Sequence, residues 1–137
     1  MIAINFWAVL AAAVAAMVVG SVWYGPLFGK PFMAATGMDK WSSEQKAMMK
    51  KRAGMSYFMQ FVASLVMFYV LAQFAGGLGE MTAGGGMVIA LWVWIGFIVP
   101  LALGNAIWGG KKIMFWLQIG NMLITLIVAG AIIGAWR

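Results

Sequence analysis

Six neutral polar side chains recur at helical spacing inside otherwise apolar runs of this chain. Ser56, Gln60 and Ser64 follow one another every four residues, and Gln118, Asn121 and Thr125 are three and four apart. On a helix, such spacing places each trio in one stripe on one face. Amides and hydroxyls donate and accept hydrogen bonds without carrying charge. Their chemistry is therefore hydrogen bonding, either between helices or to a ligand. Proton relay needs titratable groups and a hydroxyl nucleophile needs a partner base, and the chain has no cysteine and no histidine to serve as nucleophile, base or metal ligand. Its carboxylates are Asp39, Glu44 and Glu80, all in gaps between the apolar runs. No metal triad and no glycine-rich phosphate motif leading into a helix is present. The chain reads as a non-enzyme without cofactor or metal. Its thirteen methionines could attract copper(I) through soft thioethers. Methionine is also an adaptable packing residue, and no histidine or cysteine accompanies these.

Four apolar segments must position the stripes. Hydrophobic residues make up 65% of the 137 and charged residues 9%, against roughly half and a quarter in an average soluble domain. About 20 apolar residues span a bilayer, and the runs 5–27, 53–75, 84–108 and 113–136 are each long enough. They use up the chain. The expected fold is all-α: a single transmembrane domain over residues 1–137, an integral membrane four-helix bundle. The first run stops at Gly25-Pro26 and the second at Gly76-Gly77. Gly84-Gly85-Gly86 precedes the third and reads as a hinge. The N-terminus lacks a basic region, so the first run reads as a retained helix. Between the first two runs, Ser42-x-x-Gln45 makes a capping-box pattern ahead of a Gly- and Pro-free run to Arg52. That predicts a short interfacial helix in the first loop, leading into the second span. The alternative is a second span that starts early.

Charge sorts by side. The first gap holds Lys30, Lys40, Lys46, Lys50, Lys51 and Arg52, the third holds Lys111 and Lys112, and Arg137 alone falls on the other side. Lys/Arg bias in short loops marks the cytoplasmic face. The expectation is a multi-pass protein of the cell membrane, with loops 28–52 and 109–112 cytoplasmic and both termini outside. Eight cations against one also argues against insertion in both directions. The net charge of +6 is then a membrane feature. Cations beside spans meet anionic lipid headgroups, and nucleic acid is not an expected partner.

In that topology Ser21, Ser56, Gln60, Asn105, Gln118 and Asn121 all fall in the cytoplasmic half. Ser64 and Thr125 lie near the midplane, and Asn5 and Gln73 near the outer rim. The one-sided distribution predicts a neutral polar recess open to the cytoplasm, lined by those six residues. The alternative is hydrogen-bond glue between helices, worth ~0.6 kcal/mol per bond in membranes. No Asp, Glu, Lys or Arg lies inside a span, which favours passive binding or permeation of a small solute or ion over proton coupling. A structural or accessory role, contacting anionic lipids or partner membrane proteins, is the competing expectation.

Small residues give packing faces. Ala12, Ala16 and Gly20 recur every fourth residue in the first span, and Gly130 and Gly134 do so in the fourth. Such spacing lets helix backbones approach closely. The glycine groove of the fourth span points nearly opposite to its amide stripe. That helix is either central or at a subunit contact, and a homo-oligomer is expected. In the third span Pro100 lacks an N–H and frees the carbonyl of Gly96, which predicts a kink.

The segment Trp23-Tyr24-Gly25-Pro26-Leu27-Phe28-Gly29-Lys30 has a physical reading of its own. Pro26 ends a helix, Trp23 and Tyr24 anchor at headgroup level, and Lys30 reaches phosphates. The sharper alternative is a headgroup or anion site at Trp23, Tyr24 and Lys30, joined by Lys50, Lys51, Arg52, Lys111 and Lys112. The same segment resembles a signature of small four-span membrane proteins filed as domain of unknown function "seventeen sixty-one". Asn5-Phe6-Trp7-Ala8-Val9, Leu91-Trp92-Val93-Trp94-Ile95-Gly96-Phe97, Pro100 and Gly104-Asn105 are similar to it as well. The resemblance covers nearly the whole chain. It implies the four-span fold and brings no activity, substrate or catalytic residue. The acidic residue that family often has near Gly109-Gly110 is missing here.

Overall fold

Apolar length and proline placement account for the order of helices. A computed structural model describes residues 3–79 and 82–136, and no strand occurs among them. Four helical segments are long and apolar enough to cross a membrane: Phe6–Leu27, Ser43–Gly77, Ala83–Ile107 and Lys112–Ala135. The first is α1 (Phe6–Val22) followed by a wide π-helical turn, Trp23–Leu27, that contains Pro26. A short helix α2 (Gly29–Thr36) and a 3-10 turn (Met38–Lys40) lead to α3 (Ser43–Gly77). The third segment is α4 (Ala83–Val93), a second π-helical turn (Trp94–Ile98) and α5 (Val99–Ile107), and α6 (Lys112–Ala135) completes the bundle. A proline lies within the first wide turn and just beyond the second. Its ring crowds the carbonyl four residues back and supplies no N–H, and a wider turn relieves both problems.

The stretch 43–52 is not a separate interfacial helix. It forms the opening turns of α3, which continues unbroken for 35 residues. The capping box is complete: Gln45 N–H donates to Ser42 Oγ at 3.3 Å, and Ser42 N–H donates to Gln45 Oε1 at 2.9 Å. No proline follows to interrupt the helix, so the second span starts early, and the short independent helix of this loop is α2. A 35-residue helix is about 52 Å long, well beyond the roughly 30 Å of hydrocarbon. Its first turns, with Lys46, Lys50, Lys51 and Arg52, therefore project past the apolar zone. Ser42→Ala should cost about 1 kcal/mol of local stability. Amide exchange should quicken over residues 43–47 and leave α6 unchanged.

Gly84-Gly85-Gly86 is likewise not a hinge. It lies in the first turn of α4, where Thr82 caps the helix and its Oγ1 accepts from Gly85 N–H at 3.0 Å. Gly86 meets Gly130 and Gly134 in backbone-to-backbone contact. A β-carbon on Gly86 or Gly130 would overlap the carbonyl oxygen of the other residue, and one on Gly134 that of Thr82. The groove of α6 is thus filled by α4 of the same chain. α6 has protein on both faces because it is central, packing most extensively on α4 and α1. Self-association loses its sequence rationale here.

The packed core sits toward one end. Val9, Ala12 and Ala13 of α1 join Phe68, Leu71 and Ala72 of α3, Ile89 and Ala90 of α4, and Leu126, Ala129 and Ile133 of α6. These come from the first halves of the first and third membrane-spanning segments and the second halves of α3 and α6. That is the end opposite the Lys/Arg-rich loops. The small stripe of α1 behaves unevenly along its length. Ala12 is fully buried and Ala16 packs on the core, but a β-carbon at Gly20 would meet nothing within 4 Å. Gly20 is not a packing residue, because the neighbouring helices have diverged by that level. Large apolar side chains such as Phe58, Trp92 and Phe97 face outward, as lipid-facing residues do.

Candidate functional site

Toward the basic end the helices part. α3 contributes no buried residue before Ser64. The reason lies in its own face: Ala72 and Ala75 allow close approach at one end, while Met49, Tyr57 and Gln60 stand α3 off at the other. The result is a cavity of about 760 Å³. Its walls come from the last turns of α1 and α5, the adjoining face of α3 and the first half of α6, with Phe32 and Met38 folding in from the loop.

Of the six recess residues expected from sequence, Ser21, Gln60, Asn105, Gln118 and Asn121 line this cavity. Ser56 is exposed and does not. The cavity face of α3 runs from Phe68 and Tyr57 through Ser64 and Gln60 to Met49 and Met67, and Ser56 falls just past the edge of that arc. Ser21, Gln60, Asn105 and Gln118 are exposed, whereas Asn121 and Thr125 reach deeper. Ser64 Oγ donates to the carbonyl of Gln60 at 2.9 Å. Asn121 Oδ1 and Thr125 Oγ1 are buried without a hydrogen-bond partner in the protein. The helix-joining glue expected of the amides is supplied by another residue: Trp94 Nε1–H donates to the carbonyl of Ile119 at 2.8 Å.

Sequence reasoning missed much of the lining. Met17, Met38, Met49, Met67 and Met122 line the cavity, with Tyr24, Phe32, Tyr57 and Thr125. Three of these methionines carried a signal. Met17 is four residues before Ser21, Met67 three after Ser64 and Met122 four after Gln118, each on the polar stripe's own face. Met38 and Phe32 arrive from the loop and have no periodicity to betray them.

The conspicuous aromatic segment does not form a headgroup anchor. Trp23 lies across Gly120 of α6, where a β-carbon would come within 2.6 Å of its ring, and its Nε1 is buried. Gly120 makes the room that draws the indole inward. Trp23 also packs on Phe28, and Tyr24 on Phe32, each with ring centroids 4.6 Å apart. Lys30, Lys50, Lys51, Arg52, Lys111 and Lys112 are all exposed. Helix geometry puts Lys46 one turn outside Met49 on the cavity face of α3, and Lys111 two turns before Gln118 on α6. The mouth is therefore basic and the interior neutral. Glu80 and Arg137 lie outside the described residues.

Such an arrangement holds no acid–base pair. It offers hydrogen bonds, thioethers and aromatic faces in a volume within the roughly 300–1,000 Å³ of small-molecule sites. A second hollow, about 550 Å³, lies between α1 and α3 toward the other end, lined by Phe6, Trp7, Val9, Leu10, Leu65, Val66 and Tyr69. It has no convergent polar groups.

Among known proteins, the family described as "Protein of unknown function (DUF1761)" matches residues 7–134. No curated protein and no solved structure matches the chain.

Proposed function

We propose that this chain, which belongs to the DUF1761 family of proteins of unknown function, binds or passes a small solute through the recess at its basic end. The observation that carries the reading is a division of labour along the bundle. The packed core occupies one end, and seven serine, threonine, asparagine and glutamine residues converge on one cavity toward the other. Hydrogen-bond glue would leave no such cavity between the helices. The lysine and arginine excess at the same end supports an opening to the cytoplasm. Among the described residues no Asp, Glu, Lys or Arg lines the recess, which favours passive movement through it.

Reconstituted vesicles test this. Glycerol and urea permeation, followed by light scattering, should exceed that of protein-free vesicles. Gln60→Leu with Asn121→Leu should cut the excess by about tenfold, because two amide contacts to the solute are lost. Equal permeation by the double variant overturns the reading.

One observation favours a second role beside the first. The projecting start of α3 carries Lys46, Lys50, Lys51 and Arg52 where anionic headgroups would lie. Retention of phosphatidylglycerol through purification, reduced when Lys50, Lys51, Lys111 and Lys112 are replaced by Gln, is the expected result. Undiminished retention removes the electrostatic part of that role.

A further inference from the structure

Taking the recess as a ligand site, we infer that its ligand is an uncharged organic molecule with an apolar body and a hydrogen-bond donor at one end, which goes in donor first. The deep end sets the polarity. Asn121 and Thr125 are four residues apart on α6, so their side chains lie one above the other on one face. Asn121 Oδ1 and Thr125 Oγ1 are both buried without a partner, and Thr125 is only 6% exposed. An amide oxygen can only accept, and a buried acceptor left unpaired is costly. A hydroxyl or amide N–H reaching this depth would have both residues in the wall beside it, and a small rotation of either side chain would bring its oxygen within reach.

The walls set the rest. Met17, Met38, Met49, Met67 and Met122 line the same cavity as that pair. Unbranched thioethers adapt to irregular apolar shapes, and Tyr24 and Tyr57 add flat faces. Among the described residues no cation or carboxylate lines the interior, so a charged ligand would lose its hydration without gaining an ion partner. An alkali-metal ion is disfavoured for the same reason, since it needs a shell of oxygens and these walls are largely carbon and sulfur.

Four matched probes separate the possibilities: 1-naphthol, 1-methoxynaphthalene, 1-naphthoate and 1-naphthylmethylammonium. Each is equilibrated at pH 7 with the full chain in phosphatidylcholine nanodiscs, and binding to empty nanodiscs is subtracted. Naphthol should bind saturably and at least about tenfold more tightly than the other three. Thr125→Val with Asn121→Leu should lower naphthol to the level of methoxynaphthalene and leave methoxynaphthalene unchanged. Equal or tighter binding of either ion overturns the inference, as does an undiminished naphthol preference in the double variant. Saturable binding of all four without preference overturns the ligand class and keeps the recess as a site. No saturable binding of any probe also overturns the class. The permeation assay then judges the recess separately.

Discussion

Gly130→Leu is expected to drive α6 away from α4 and destabilise the bundle by ~3 kcal/mol or more. Overpacking a well-fitted interior usually costs about 1–3 kcal/mol when side chains can yield. Here the obstacle is the carbonyl of Gly86 and the β-carbon of Ala90, and backbone cannot rotate aside. Unfolding in mixed micelles titrated with dodecyl sulfate measures the loss. Gly54→Ala is the control: its β-carbon meets nothing within 4 Å, and removing a mid-helix glycine should stabilise by up to ~1 kcal/mol. The experiment also settles what the glycines do. Were Gly130 at a subunit contact, the substitution would change oligomeric mass and spare the monomer. The contact with Gly86 predicts loss of the monomer itself.

Gly20→Leu should do the reverse. Gly20 lines the recess, and a β-carbon there has open space around it. The helix gains from losing a glycine, by about 0.5–1 kcal/mol, while the leucine branches occupy part of the cavity. Thermal stability in mild detergent should hold or rise, and glycerol and urea permeation should fall well below that of the unaltered protein, because the leucine branches narrow the passage. The same residue change at two glycines thus separates packing from passage. Full permeation with Gly20→Leu would mean that solutes do not travel through this space.

The sequence made some of this legible and concealed the rest for identifiable reasons. Composition alone marks the chain as membrane-spanning, because so much apolar length has no other place to go. The first, third and fourth spans were expected at 5–27, 84–108 and 113–136 and occur at Phe6–Leu27, Ala83–Ile107 and Lys112–Ala135. The start of the second was misjudged by ten residues. A capping box announces where a helix begins but not whether it breaks before the membrane. Gly84-Gly85-Gly86 looked flexible because a glycine run has no intrinsic preference. Its role appears only with Gly130 opposite. The grouping of Gln60, Gln118 and Asn121 was readable from spacing, since period and depth are both properties of one helix. Trp23 was misread because its position depends on Gly120, nearly a hundred residues away. The methionines were passed over as filler, although three shared the polar face.

Accessibility tests the recess most directly. The chain has no cysteine, so single-cysteine variants carry no background. Gln118→Cys near the mouth, Asn121→Cys deeper and Val88→Cys on the outward face of α4 can be exposed to a membrane-impermeant methanethiosulfonate in inverted and right-side-out vesicles. A recess open to the cytoplasm predicts that Gln118→Cys and Asn121→Cys react in inverted vesicles only and that Val88→Cys, in lipid, reacts in neither. Reaction of the first two in right-side-out vesicles alone, or no reaction in either orientation, contradicts it.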